Sequence, residues 1–525
     1  MSDLGSLVPT LIVTPICVYL LFMLFKFLNV VLWNPIRIQK LMASQGIKGP
    51  AYTFIHGNMK QMKQMQSQSM ATPLGLSHHI LPWVEPHYCS WINSFGKNFL
   101  FWFGPEATLY VSEGELVKEI LNNKEKSYPK RDLALHVKKL IGNSVAALFE
   151  GEQWTKMRKL ANHAFRGETL RNLTPEIIAS TEMMLQRWKN HKGCEIEVHE
   201  EFKLLTSEVI SRSAFGSSYE EGKDIFHKLQ EVTNIATRPP SLFFWFNGIS
   251  KMLGADGVND SERLVQEIRS SILEIIRKRE NKVMTGEAES YGRDFLGLLL
   301  QSCHDVVDDE SKRTTVDDVI DECKGMYFAG QETTTNLLSW AVMLLAIHPE
   351  WQEEARKEVQ NMFGNQTPSS DGISKLKIMS MIINETLRLY PPALAVIIRK
   401  INRKVILGNL TLPPNLNIYL PIVKFHHDPE IWGEDVHQFK PERFSQGIPQ
   451  ATNNNPTAFF PFGIGPRTCV GSNFAVTEAK VALTMILQRY SFKLSPAYVH
   501  SPVQVLILRP QHGVQIILEP LMQSA

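Results

Sequence analysis

The feature that most constrains this chain of 525 residues is one short loop, residues 459–471, with the sequence FFPFGIGPRTCVG. It contains three phenylalanines, three glycines, an arginine and a lone cysteine, and the residues from Ser472 to Tyr490 have helical periodicity. Cys469 therefore precedes a helix N-terminus, where amide groups and the helix dipole stabilise negative charge. We expect this position to lower the pKa of the thiol, and a thiolate in a closed aromatic loop is a soft ligand suited to iron.

Two other interpretations of the loop are weaker. The letters GIGPRT resemble the start of a dinucleotide-binding fingerprint, but a threonine occupies the position of the third glycine. A buried structural cysteine is the usual role of a lone cysteine, but it leaves the rest of the loop unexplained. In the ligand interpretation, Gly463, Gly465 and Gly471 allow the backbone to approach a flat cofactor. Phe462 would keep water from the sulfur, and Arg467 would pair with an anionic edge of the cofactor.

The loop reproduces the F-x-x-G-x-R-x-C-x-G pattern of the cytochrome P450 family, with Phe462, Gly465, Arg467, Cys469 and Gly471 at its fixed positions. On these residues the chain resembles that family. The resemblance implies the cytochrome P450 fold, mainly α with small β-sheets, and a haem (iron protoporphyrin) cofactor. It implies that Cys469 is the axial thiolate ligand of the iron and that Phe462, Arg467 and Gly471 contribute to haem binding.

A second stretch, residues 329–334 (AGQETT), lies within a long helix that the periodicity predicts from Val316 to Ile347. Glycine in mid-helix costs about 1 kcal/mol relative to alanine, and threonine is also unfavourable there, so a tolerated polar patch is the plainer explanation. Small residues also let a helix approach a cofactor, and a hydroxyl beside a carboxylate can deliver protons into a dry pocket. The stretch matches the A/G-G-x-D/E-T signature of the family, which implies Thr333 and Glu332 as the catalytic pair for oxygen activation and proton relay.

A third pattern is the pair Glu385 and Arg388, which lie three residues apart and therefore share a helix face. Such a pair is most often a solvated ion pair that contributes little to stability. Together with residues 441–444 (PERF), however, it matches the buried Glu-Arg-Arg network of the family. The resemblance thus implies structural roles for Glu385, Arg388 and Arg443 behind the cysteine loop.

A fourth pattern is WTKMRK, in which Trp154 and Arg158 are one helical turn apart. A surface amphipathic helix is the simplest explanation of this spacing. The resemblance implies instead that both side chains bind haem propionates, and that Arg399 does the same. Lys156 and Lys159 add positive charge that would steer an acidic redox partner.

The N-terminus carries an apolar run from Leu11 to Phe25 that is continued from Phe27 to Trp33, long enough to span a bilayer. A cleaved signal peptide is the alternative, but no basic residue precedes the run. Basic residues follow it, so the positive-inside rule places the rest of the chain in the cytosol. We expect a single-pass protein of the endoplasmic reticulum membrane with a cytosolic catalytic domain.

Composition adds three limits. The 55 lysines and arginines nearly balance the 53 aspartates and glutamates, which gives no reason to expect a nucleic acid partner. The six cysteines form no C-x-x-C pair, which argues against a zinc site or a disulfide framework. Strand-like runs are short, and the helical pattern dominates.

We divide the chain into an anchor (1–35), a hinge (36–55) and a catalytic domain (56–525). The predicted strands are Thr108 to Val111, Val405 to Leu407, Asn417 to Pro421 and Val503 to Leu508.

The hinge lacks most of the prolines usual for the family and retains Gly49-Pro50 within SQGIKGPAYTFIHGN. In this form the chain resembles the plant clan that includes secologanin synthase and several triterpenoid and hormone hydroxylases.

The resemblance implies NADPH-driven monooxygenation with O2, and the sequence shows no flavin or nicotinamide site of its own. The electrons would therefore come from a separate NADPH–cytochrome P450 reductase, with membrane lipid as a further partner. Apolar pocket walls favour a terpenoid, steroid or hormone-like substrate. Two alternatives stay open, a family member that rearranges a peroxide without external electrons, and a non-catalytic haem-binding protein. The expected pocket walls are 136–147, 243–246, 328–333, 393–398 and 503–508.

Overall fold

The computed structural model describes residues 4–71, 74–123, 126–131, 135–148, 151–165, 167–189, 193–236, 258–304 and 313–521. Over these residues the chain is mainly helical with short strands, which confirms the predicted fold class. The expected pocket wall 243–246 lies outside them. The helices are α1 (Leu4–Leu28), α2 (Asn34–Ala43), α3 (Met59–Met70), α4 (Leu81–Val84), α5 (Pro86–Phe95), α6 (Gly114–Asn122), α7 (Leu135–Ile141), α8 (Glu152–Ala164), α9 (Gly167–Trp188), α10 (Val198–Phe215), α11 (Tyr219–Ala236), α12 (Val258–Met284), α13 (Phe295–His304), α14 (Val316–Ile347), α15 (Pro349–Phe363), α16 (Ser370–Lys375), α17 (Lys377–Leu389), α18 (Ile422–His426), α19 (Pro429–Trp432), α20 (Ile448–Ala451) and α21 (Ser472–Leu487).

The strands form small sheets at the edges of the helical body. The largest has the order β1-β2-β7-β4, with β7 parallel to β2 and antiparallel to β4. The others are β3-β11-β8, β5-β6 and β9-β10. The strands are β1 (Asn98–Phe103), β2 (Glu106–Val111), β3 (Glu195–Glu197), β4 (Ala395–Lys400), β5 (Val405–Leu407), β6 (Leu410–Leu412), β7 (Asn417–Pro421), β8 (Tyr490–Leu494), β9 (Pro502–Val505), β10 (Ile507–Pro510) and β11 (Gln515–Pro520).

The strand predictions were right for β2, β5 and β7 but incomplete. Strand β1 (NFLFWF) was missed because it is buried along most of its length and shows no alternation of polar and apolar residues. The single strand predicted over 503–508 is wrong, because this segment belongs to the antiparallel hairpin β9-β10. Leu506 lies at its turn with a positive φ of 60°, a conformation that ends a strand.

Helix α14 runs through the middle of the body and packs against α7, α10, α17 and α21. It begins with a capping box, in which the Thr315 hydroxyl and the Asp318 carboxylate each accept a backbone N–H of the other residue. Its mid-helix hydroxyls donate to carbonyl oxygens one turn back, as Thr333 Oγ1 does to Ala329 O at 2.7 Å. Gly330 has a packing role in addition to the expected approach to a cofactor, which stays a prediction. A Cβ at this position would lie 2.6 Å from Ile210 Cδ1, so the glycine permits close packing of α10.

The N-terminal helix is continuous with the body. Among the described residues, Thr14–Ala43 is the one helical stretch long and apolar enough to cross a membrane. A π-helical segment, Asn29–Trp33, joins α1 to α2, and the Tyr52 hydroxyl donates to Val31 O at 2.6 Å. Ile38 and Met42 on α2 are buried in a core shared with the β1-β2 sheet. The first part of the predicted hinge, residues 36–43, is therefore helical and docked on the body.

A cluster of four buried histidines surrounds the C-terminal end of α17. His78 Nδ1 and Tyr390 Oη are 2.7 Å apart, and His500 Nε2 is 3.3 Å from the same hydroxyl. Burial lowers the pKa of His78 and of His426 to about 3 and that of His500 to about 4, and it holds the pKa of His427 well below its ordinary value. These rings are therefore neutral in the folded protein throughout the physiological range.

We predict that His78→Gln makes the protein less sensitive to acid. The ring has an ordinary pKa of 6.5 when unfolded and about 3 when folded, so below pH 6.5 the unfolded chain binds a proton that the folded chain does not. When the pH is lowered from 7.5 to 5.5, the free energy of unfolding of the wild type should fall by about 1.4 kcal/mol more than that of the variant. Unfolding midpoints measured at each pH would show this difference. Tyr390→Phe, which removes the same hydrogen bond but no titrating ring, should give a difference independent of pH. A pH-independent difference for His78→Gln would contradict the prediction.

Candidate active site

A cavity of about 340 Å³ lies between helix α14 and the cysteine loop. The α14 wall runs from Glu322 to Leu337, and the opposite wall consists of residues 461–471 with the start of α21. Residues 144–146 and the N-terminal half of β4 close the sides. The cavity is thus lined by some residues of the expected walls at 136–147, 328–333 and 393–398. Residues 503–508 are not among the described residues that line the cavity.

The cysteine loop is a tight turn whose geometry presents the sulfur to the cavity. The backbone N–H of Cys469 donates to Phe462 O at 2.8 Å, which closes the loop. Gly465 has a positive φ of 78°, and a Cβ there would lie 2.6 Å from Leu121 O, so only glycine fits. Gly471 is the N-cap of α21, and its backbone N–H points at the Cys469 sulfur. The thiol is accessible from the cavity although it lies inside the protein.

The electrostatics of Cys469 differ from the sequence-based expectation. Burial raises the pKa of the thiol, and the Gly471 N–H and the positive charge of Arg158 offset this only in part. The prediction that the helix N-terminus lowers this pKa is therefore wrong for the polypeptide alone, because loss of hydration outweighs the helix dipole. A bound metal cation would supply the missing compensation, since a coordinating thiol is deprotonated outright.

Positive side chains collect along the cavity. Lys130, Arg158, Arg399 and Arg467 all line it, whereas Glu322 is its one acidic residue among the parts of the chain that the structure describes. Arg399 on β4 is almost completely buried, at 1% exposure. This excess of cations complements a ligand with an anionic edge.

Trp154 lies beneath this cationic edge. The Arg467 guanidinium stacks 4.1 Å from the centre of its ring, and the same guanidinium donates to Leu148 O at 2.7 Å. The indole Nε1–H is buried with no acceptor among the described residues. A buried donor left unpaired costs about 1–3 kcal/mol, so it is suited to an acceptor on a bound molecule. The thiol would hold the iron of a haem, and the cations, with the indole that stacks on Arg467, would hold its carboxylates.

The structure separates the two members of the predicted catalytic pair. Thr333 lines the cavity, but Glu332 is not among the lining residues. The Glu332 carboxyl faces away from the cavity, near Lys203 on α10 and Arg509 on β10. Burial raises its pKa, and these two positive charges lower it by a smaller amount. Thr333 thus places a hydroxyl inside the cavity. The adjacent Glu332 places a carboxyl that can bind a proton on the side of α14 that faces away from the cavity.

Glu385, Arg388 and Arg443 come together behind the loop. Glu385 and Arg388 are completely buried and share two hydrogen bonds of 2.7 Å, and Arg443 Nε lies 3.6 Å from Glu385 Oε1. Arg388 also donates to His426 O at 2.9 Å, and His426 Nε2 accepts the backbone N–H of Phe460 at 3.1 Å. This chain of contacts connects the ion pair to the start of the cysteine loop.

The sequence analysis did not name Lys130 and Glu322, two charged residues that line the cavity, whereas Ser144 lies within the expected wall 136–147. A signal for Glu322 was present, because counting back from Thr333 by eleven, seven and four residues gives one face of a helix. That face carries Glu322, Met326 and Ala329, all of which line the cavity. Lys130 lies in an irregular segment with no periodicity, so no comparable signal existed for it.

Comparison with known proteins agrees with this geometry. The cytochrome P450 family model matches residues 78–518. The chain is similar to cytochrome P450 CYP749A22 of Panax ginseng, at 53% identity over 97% of each chain, and to cytochrome P450 734A1 of Arabidopsis thaliana, at 39% over 95% of each. It is also similar to 7-deoxyloganic acid hydroxylase of Catharanthus roseus, at 37% identity over 95% of this chain and 97% of that protein. These plant relatives agree with the predicted clan.

We predict that Arg388→Met lowers the free energy of unfolding by about 3–5 kcal/mol, because the completely buried Glu385 loses its two hydrogen bonds to Arg388 and keeps only the more distant Arg443 guanidinium and the Lys440 N–H. Chemical denaturation would measure the change. Lys357→Met is the matched control, since Lys357 also pairs with a glutamate three residues earlier but both side chains are more than half exposed. This control should have little effect. Equal effects of the two substitutions would contradict the structural role of the buried pair.

Proposed function

The chain belongs to the cytochrome P450 family, so it is a haem-dependent monooxygenase, and we propose that it hydroxylates an apolar small molecule. Electrons come from NADPH through a separate cytochrome P450 reductase, and O2 supplies the oxygen atom. The observation that carries the proposal is the cavity itself, which combines the Cys469 thiol, a hydroxyl at Thr333 and otherwise mostly apolar walls. A mainly apolar cavity with some convergent polar groups is typical of small-molecule pockets.

The protein residues have distinct tasks in this function. When bound, the haem supplies the activation of O2 and the insertion of oxygen into a C–H bond. We assign Cys469 as the ligand of its iron, with Gly471 donating to the sulfur and Phe462 excluding water. Arg158, Arg399 and Arg467, which line the cavity, and Trp154, on which Arg467 stacks, would hold the haem carboxylates.

Thr333 and Glu332 move protons into the cavity. Thr333 Oγ1 donates to Ala329 O, and its lone pairs remain available to accept a proton from the outer side. The raised pKa of Glu332 keeps a proton on its carboxyl for a larger fraction of the time than at an ordinary glutamate. Its place next to Thr333, on the outer face of α14, supports a role as the proton donor that resupplies the threonine.

The substrate class follows from the walls. The lining residues are mainly aliphatic, among them Leu121, Ile210, Met326 and Val396. These walls favour a terpenoid, steroid or hormone-like molecule. The relative named as a hydroxylase of 7-deoxyloganic acid supports hydroxylation as the reaction.

The proposed location is the endoplasmic reticulum membrane, with the catalytic domain in the cytosol. The apolar helix within Thr14–Ala43 and the basic residues after its apolar core support this orientation. All six cysteines are free, which fits a reducing compartment.

The first test is product analysis in microsomes that contain this protein and a plant reductase. The panel is gibberellins, brassinosteroids, cytokinins, triterpenoids and fatty acids, each supplied with and without NADPH. We predict an NADPH-dependent gain of one oxygen on one class, detected by mass spectrometry, and its loss in Cys469→Ala together with the red-shifted band of the ferrous carbon monoxide complex. Product formed equally without NADPH would contradict the proposal and favour rearrangement of a peroxide. Survival of the band in Cys469→Ala would remove this residue as the ligand.

A second prediction concerns the proton relay. Thr333→Ala should leave the carbon monoxide spectrum intact but slow product formation about 100-fold, the lower end of what a positioned proton donor contributes. The consumed NADPH should appear as hydrogen peroxide. The control is Thr335→Ala, which removes a hydroxyl with the same bond to the carbonyl one turn back but outside the cavity lining. Product formation per NADPH should be retained in this control, and its retention in Thr333→Ala would contradict the relay.

A further inference from the structure

Two polar side chains on the cavity wall lack the partners that a buried group normally has. Ser144 and Glu322 both line the cavity and are only 1% and 2% exposed. Neither Ser144 Oγ nor Glu322 Oε1 has a hydrogen-bond partner among the described residues. Other buried carboxyls share this property, as Glu478 does, but Glu478 does not line the cavity. The combination of an unpaired polar atom with a cavity wall therefore points to a bound molecule as the missing partner.

Glu322 is held in place and carries a proton. The backbone N–H of Val145 donates to its carboxyl group, and burial raises its pKa to about 8, with nearby Asp321 and Asp318 acting in the same direction. At neutral pH the group is therefore mainly a neutral carboxylic acid, which offers an O–H donor as well as an acceptor. A neutral acid suits an uncharged oxygen on a ligand better than a cation.

The position of the pair is rigid and remote from Thr333. The eleven residues from Glu322 to Thr333 correspond to about 16 Å along the helix axis. Ser144 packs against the same helix face, because a Cβ at Gly325 would lie 2.6 Å from Ser144 Oγ. The segment that follows Ser144 is fixed on its other side, since Lys130 donates to Ala146 O and Arg467 donates to Leu148 O.

We propose that Ser144 and Glu322 form a recognition site for an uncharged oxygen function on the substrate. The substrate is then an apolar skeleton that already carries a hydroxyl, keto or ether oxygen at the end remote from the carbon that is hydroxylated. This inference rests on the proposed function and narrows its substrate class. A ligand oxygen would satisfy both polar atoms, whereas a hydrocarbon end would leave them unpaired and bind about tenfold to 100-fold more weakly.

The test measures binding without NADPH, by the spectral shift of the purified haem-loaded enzyme in lipid nanodiscs. The probes are two pairs of ligands, a triterpene alcohol with its deoxy hydrocarbon and a steroid alcohol with its deoxy hydrocarbon. For at least one pair, the wild type should bind the alcohol at least about tenfold more tightly. Glu322→Leu combined with Ser144→Ala should abolish this preference while the hydrocarbon binds at least as tightly as before. Glu478→Leu, the control at a buried carboxyl outside the cavity, should retain it.

Glu322→Gln provides a milder variant, since its amide keeps a donor and an acceptor, and it should retain part of the preference. Thermal unfolding of each variant separates recognition from structure. A merely structural role would weaken the binding of alcohol and hydrocarbon equally, and that result would overturn the inference. Equal binding of both members of both pairs by the wild type would overturn it as well. Because no NADPH is present, the preference can fail or survive independently of the proposed monooxygenation.

Discussion

The completely buried ion pair between Glu385 and Arg388 is the interaction on which the geometry of the site depends. Two charges in a dry interior are tolerated only when their hydrogen-bonding capacity is satisfied, and Arg388 achieves this by also binding the carbonyls of His426 and Val436. These bonds fix the segment after α18, whose His426 in turn holds the backbone of Phe460. The network that begins at Glu385 and Arg388 on α17 thus positions the Cys469 thiol. None of Glu385, Arg388 and His426 lines the cavity.

The polar groups of the cavity are unevenly distributed. Its cationic edge, with Arg399 and Arg467, lies beside the cysteine loop, and the neutral acid Glu322 lies on the N-terminal part of the α14 wall. Both groups adjoin one segment, because the Val145 N–H donates to Glu322 whereas Arg467 donates to the carbonyls of Val145 and Leu148. The few polar groups of this mainly apolar cavity therefore determine how a bound molecule is oriented. Helix α14 carries both Glu322 and Thr333 on one rigid element.

The apolar N-terminal helix is also attached rigidly to the body. Helix α2 extends the N-terminal helix and buries Ile38 and Met42 against the sheet core, while the Gln45 side-chain amide pairs with the backbone of Thr411 on β6. The Tyr52 hydroxyl adds a bond to the π-helical turn at Val31. A body attached by packed side chains and hydrogen bonds has a defined angle to this apolar helix, unlike a body attached by a proline-rich linker.

The sequence by itself determined the family, the fold class, the long helix α14 and the residues of the cysteine loop, because these depend on periodicity and on fixed local spacing. It also determined that Glu385, Arg388 and Arg443 belong together, through a motif. Only the tertiary structure decided that Gly330 makes room for Ile210, that Glu332 faces away from the cavity, and that burial raises the pKa of Cys469. It alone brought Ser144 to Glu322, which are separated by more than a hundred residues of chain. Packing between distant segments determines how far a side chain is removed from water and which charges lie near it. Neither property is encoded in the local sequence pattern.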